Sequence, residues 1–226
     1  MPDTIEGEIQ DLALAMPWRR FMPLAPADSR LEYSMDSPIA ALFVASCLVL
    51  SIPAAAQSLE EKAEVCTACH GENGMPQQPD VPIIWGQHEG YIYIQLRDYK
   101  SGLRTSNRMQ PIVADLSRED LRALAAHFSK KPWPRTDYRS SEEDETIGQR
   151  IATAGICTEC HLGGFVGTSV TPRVSGQTVT YLEKTLMAFK SRERSNSPDK
   201  SVLLASFTEE ELKAMARYLA GIHVQQ

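Results

Sequence analysis

The pentapeptide Cys-x-x-Cys-His occurs twice, as Cys66-Thr-Ala-Cys69-His70 and as Cys157-Thr-Glu-Cys160-His161, 91 positions apart. It constrains the fold strongly because the chain around it repeats as well. Pro82, Gly86-Gln87, Tyr91, Leu96, Tyr99 and Arg104 recur as Pro172, Gly176-Gln177, Tyr181, Leu186, Phe189 and Arg194 at an offset of 90. Leu116, Ser117 and Leu121 recur as Phe207, Thr208 and Leu212 at an offset of 91. The order is kept with only two single-residue shifts. The chain therefore holds two copies of one domain, expected at 57–131 and 146–226. Residues 132–145, with Pro132, Pro134 and an acidic run, read as a linker, and 1–56 as an N-terminal extension.

Each copy reads as three helices joined by long loops, an all-α pattern. The first runs from about Leu59 into the cysteine motif, the second from about Glu89 to Lys100, and the third opens on the capping pattern Ser117/Asp120. The second copy repeats this from about Glu143, Val179 and Thr208, with Glu211 completing the last box. About twenty residues after each histidine lack a regular pattern, too many for a small packed domain unless something else fills its centre.

In Cys-x-x-Cys-His the two thiols stand one helical turn apart, able to add across two porphyrin vinyl groups. The adjacent histidine is then aimed at the iron. The motif reads as covalent haem c attachment, giving two haem c groups through Cys66, Cys69, Cys157 and Cys160, with His70 and His161 as proximal iron ligands. A zinc site would need further ligands, and a histidine next to a ligating cysteine is poorly placed to be one. A thioredoxin-like redox pair would need a strand–helix–strand setting that is absent from the pattern. A proximal histidine needs its other ring nitrogen held, and Pro82 and Pro172, twelve and eleven residues downstream, are placed to offer carbonyl oxygens.

The sixth ligands are expected to differ. Met109 lies 39 residues after His70 in the polar stretch Arg108-Met-Gln-Pro and is the expected ligand of the first iron; Met75 is too close to His70 to reach the other face. In the second copy the same alignment lands on Asp199 or Lys200, and no methionine occurs between Met187 and Met215, which sit on helical core positions. Lys200 is the candidate there. It would have to bind as the free amine, far from its ordinary pKa of about 10.4, and a solvated surface lysine is the competing reading. Water, Asn196 or a displaced methionine stay open.

Pro38 to Ala56 carries fourteen mostly apolar residues, Ile39 to Ile52, followed by Pro53 and three alanines. This reads as a secretory signal peptide, which places the mature chain in the periplasm. No basic residue lies between Met35 and the apolar run, so a start at Met22 or Met35 fits better than Met1. Val44-Ala45-Ser46-Cys47 resembles a lipoprotein box, but the apolar run continues past Cys47; Arg19-Arg20 has a poor setting for twin-arginine export. Of 23 basic and 29 acidic residues, three and seven lie before Gln57, leaving 20 and 22 beyond it. A nearly neutral mature chain gives no support to nucleic-acid binding.

The two CTxCH motifs, the segments GQHEGY and GQTVTY, and the last helices LSREDLRALAAHF and FTEEELKAMARYL resemble the dihaem cytochrome c4 family. The likeness runs from about Leu59 to Ile222. It implies two tandem class I cytochrome c domains, each of three main helices around a covalently bound haem, working in a bacterial respiratory chain. It also implies redox protein partners, a membrane donor complex and a terminal oxidase or a dehydrogenase, peripheral membrane association, and methionine as sixth ligand in both halves. The second half departs on the last point. A non-enzymatic electron carrier is the leading expectation. Its rival is the cytochrome subunit of an oxidoreductase complex with a flavin or molybdenum partner, and a third reading is ligand sensing at a five-coordinate second haem.

Overall fold

The computed structural model describes residues 57–224. The extension lies outside the described residues, and with it the signal-peptide segment, Cys47, Arg19-Arg20 and the alternative starts at Met22 and Met35. Among the described residues the secondary structure is helical, with one isolated bridge between Thr168 and Thr171. The first half contains α1 (Leu59–His70), α2 (Glu89–Ser101), α3 (Met109–Val113) and α4 (Arg118–Ser129). The second contains α5 (Glu142–Ala154), α6 (Cys157–His161), α7 (Val179–Lys190), α8 (Pro198–Leu204) and α9 (Glu209–Gly221).

Local chemistry sets these ends. Ser58, Ser117 and Thr208 each accept a backbone N–H three residues on, while Glu61, Asp120 and Glu211 reach back to the cap: three capping boxes, two of them expected from sequence. The acidic run Glu142–Glu145, expected as linker, forms the first turn of α5 behind the Ser141 cap. Carboxylates there face the unpaired N–H groups of a helix start, which favours helix over coil.

Two sequence expectations change. Met109 and Lys200 do not lie in loops; they sit on the short helices α3 and α8. And the first helix of the second half does not run into its motif. It ends at Gly155, Ile156 takes a left-handed φ of 47°, and the motif forms a separate helix, whereas α1 is continuous through Cys66–His70.

Each half packs its last helix across its first and second. Ala63, Ile92, Leu124, Ala125 and Phe128 form one core; Ile151, Leu182, Phe207, Leu212, Met215, Ala216 and Leu219 belong to the other. At the α5–α9 crossing Gly148 is obligatory, since a Cβ there would lie 2.4 Å from the Tyr218 side chain.

The two halves meet in a seam built from equivalent residues. The Gln87 amide donates from Nε2 to the Arg173 carbonyl (2.8 Å) and accepts the Arg173 N–H at Oε1 (2.9 Å). Gln177 does the same to Ile83, at 3.0 and 2.8 Å. Arg104 donates to the Tyr181 hydroxyl at 3.2 Å, and Arg194 to the Tyr91 hydroxyl at 3.3 Å. Gln87/Gln177, Ile83/Arg173, Tyr91/Tyr181 and Arg104/Arg194 are all pairs at offset 90, so the seam has approximate two-fold symmetry.

Candidate functional site

The last turn of α1 presents Cys66, Cys69 and His70 together. His70 is 6% exposed, and its Nδ1 lies 2.7 Å from the Pro82 carbonyl oxygen. A carbonyl only accepts, so Nδ1 carries the hydrogen and Nε2 is left bare on the opposite side of the ring, the form in which imidazole ligates a metal. Burial holds the His70 pKa below its ordinary value, with the Pro82 contact opposing, which keeps the ring neutral. In the second half His161 Nδ1 lies 2.9 Å from the Pro172 carbonyl, and burial again lowers the ring's pKa. Both proline carbonyls thus stand against the histidines as the sequence spacing suggested.

None of the four motif cysteines is paired in a disulfide. Burial pushes the Cys66 thiol up to about 11 and Cys157 upward too, while Cys69 and Cys160 are exposed. Among the described residues no group of three or more His, Cys, Asp or Glu could hold a metal ion. Two cysteines outside any disulfide, a histidine with Nε2 bare, and a buried indole N–H on Trp85 without a partner fit a covalently held haem in the first half. The second half offers the same thiols and histidine.

The sixth-ligand candidates are held differently. Met109 opens α3, its N–H donating to Ser106 Oγ at 3.2 Å. The preceding Arg108 is ion-paired with Asp80 and donates to Gln78 at 2.9 Å, tying this turn to the loop that follows the first motif. The Met75 backbone is packed against Gly71: a Cβ at Gly71 (φ 89°) would lie 1.8 Å from the Met75 oxygen.

Lys200 is half-buried. Its Nζ donates to Ser197 Oγ at 3.1 Å and lies 5.8 Å from the Phe189 ring centre. Burial first, then the Arg194 charge, lower its pKa, and its charge in turn lowers that of His161. Its side chain lies against Phe189 and Ser197, partly withdrawn from solvent. Asn196 is held in the seam, donating to Asp98 and Gln95 and accepting from Arg194 at 3.0 Å. The arginine–tyrosine seam was in the sequence as repeated polar residues without a role; repetition of Gln, Tyr and Arg at one offset was the signal.

No protein-family model matches the chain. It is 33% identical to cytochrome c4 of Pseudomonas aeruginosa over 73% of this chain and 87% of that protein. The chain belongs to the cytochrome c4 family. It is accordingly a dihaem c-type cytochrome that transfers electrons, built from two class I cytochrome c domains. The thiosulfate dehydrogenase electron acceptor of Stutzerimonas stutzeri is 34% identical over 71% of this chain and 80% of that protein. Among solved structures, reduced recombinant cytochrome c4 from Pseudomonas stutzeri superposes with a TM-score of 0.67 at 27% identity, covering 74% of this chain and all of that one.

Proposed function

We propose that this chain is a periplasmic, non-enzymatic electron carrier of a respiratory chain, with a first domain at 57–131 and a second that starts with α5, joined through 132–141. Haem c supplies the iron that gains and loses one electron. The chain's residues hold it: Cys66 and Cys69 by thioether bonds in the first half, Cys157 and Cys160 in the second. His70 and His161 ligate through Nε2, fixed by the Pro82 and Pro172 carbonyls. Met109 would be the further protein ligand to the first iron and Lys200 that to the second. The observation that carries this reading is the pair of histidine–proline contacts, which leave the same ring nitrogen bare in both halves.

Among the described residues no helix is long and apolar enough to cross a membrane. Export rests on the segment Pro38–Ala56, and docking on the membrane surface would be peripheral. The expected partners are a membrane donor complex and a terminal oxidase. The second reading, acceptor for a dehydrogenase, is favoured by the name of the Stutzerimonas stutzeri relative.

Intact mass of the exported protein is expected to exceed that of the mature polypeptide by two haems. A polypeptide of unmodified mass after correct maturation refutes the attachment reading. Lys200→Ala is expected to convert half of the low-spin absorption and paramagnetic resonance signal near neutral pH and leave the other half unchanged. An unaltered spectrum removes Lys200 as a ligand.

A further inference from the structure

Away from both motifs, residues 133–136 face the loop at Arg173–Gly176 and the segment beyond α9 across a half-open cavity of about 340 Å³. Its chemistry is one-sided. Arg173 is 9% exposed, and its guanidinium lies 4.6 Å over the Trp133 ring. Its one side-chain hydrogen bond among the described residues runs from Nε to the Ser175 carbonyl at 3.3 Å; both Nη atoms make none, and no carboxylate lies within ion-pair distance. Trp133, 8% exposed, has its Nε1–H buried without a partner, and Thr136 Oγ1 is buried and unpartnered too. Among the described residues no Asp or Glu lines the space.

Gly176 keeps the space open in front of the indole, because a Cβ there would stand 3.3 Å from Trp133 Nε1 and 3.4 Å from the Ile222 carbonyl. Indole and guanidinium nitrogens only donate. Among the described residues this largely buried cation has no counter-charge, and beside two orphaned donors it favours an acceptor from outside the set.

We propose that this cavity binds an oxyanion group, gripped by the Arg173 guanidinium, the Trp133 N–H and the Thr136 hydroxyl. An oxyanion that still carries a hydroxyl, such as hydrogen phosphate, also satisfies the Ile222 carbonyl. The apolar faces of Trp133 and Ile222 leave room for a small carbon body. Two sources share this chemistry: a free small anion, or a propionate of the chain's own haem. The site stands on these residues alone and not on the axial-ligand assignments.

The test uses the intact dihaem protein, titrated with inorganic phosphate by calorimetry in a buffer free of other oxyanions, alongside Thr136→Val, Trp133→Phe and Arg173→Gln. A free-anion site gives saturable binding of one phosphate per chain. It weakens at least about tenfold in Arg173→Gln and measurably in Thr136→Val, the variant least able to disturb the fold. A propionate in the site gives no phosphate binding to the parent protein, and Thr136→Val or Trp133→Phe then shifts the propionate proton resonances of one haem and not the other. Absence of both phosphate binding and a resonance shift in a folded Thr136→Val protein overturns the proposal.

Discussion

The two halves adopt the same bends with different residues. In the first half the chain takes positive φ at Gly71, Gly74 and Gly102, where the missing Cβ makes the conformation easy. The second half takes positive φ at the equivalent positions with Leu162, Phe165 and Arg192, and adds Ile156 and Ser169. These side chains have no intrinsic preference for such backbone, and the left-handed conformation costs them roughly 1–2 kcal/mol each. The bends are therefore imposed by the domain rather than chosen by the residue. Extra strain flanks the second motif, which the break at Gly155–Ile156 also detaches from its helix. The half without a methionine equivalent to Met109 is also the half whose backbone departs from ease.

The largest effect concerns what joins the halves. Gln87→Ala strips the partner from the buried N–H and carbonyl of Arg173, and Gln177→Ala does so for Ile83. Each is expected to destabilise by about 2–4 kcal/mol, by nearly equal amounts, in denaturant unfolding of the holoprotein. A several-fold difference between the two would show that the two-fold likeness of the seam is geometric and not energetic.

A smaller effect separates the halves directly. Arg192 is exposed with φ 64°, and its counterpart Gly102 has nothing near the position of a Cβ. Arg192→Gly is expected to stabilise by about 0.5–1 kcal/mol, and Gly102→Arg to destabilise by a similar amount. Opposite signs in thermal melting support imposed bends; matching signs would refute them.

The smallest effect is a pH dependence. Hydrogen bonds from Lys184 of the second half and Arg108 of the first pull the Asp80 carboxyl from its ordinary 3.8 down to about 2. A depressed carboxyl contributes stability that is complete above about pH 4 and fades as pH falls from there toward 2. Melting temperature measured across that window should drop less steeply in Asp80→Asn. An identical slope would mean that Lys184 and Arg108 hold no differential grip on the ionised form.

The motifs, the doubling, the helix starts at Ser117 and Thr208 and the histidine–proline spacing were legible in the residues, because each depends on contacts between near neighbours. A capping box spans three residues, a cysteine pair one turn, and a carbonyl twelve positions from His70 needs only a loop of the right length. The roles of Gln87, Tyr91, Arg104 and their counterparts were not legible, nor the orphaned donors around Arg173. Their partners lie some 77 to 103 positions away in the chain for the hydrogen bonds of the seam. Periodicity reports which side of a helix is apolar, but not which distant surface a polar repeat will meet. Only packing one half against the other decided that, and only the closed backbone of the second half revealed where its missing glycines leave strain.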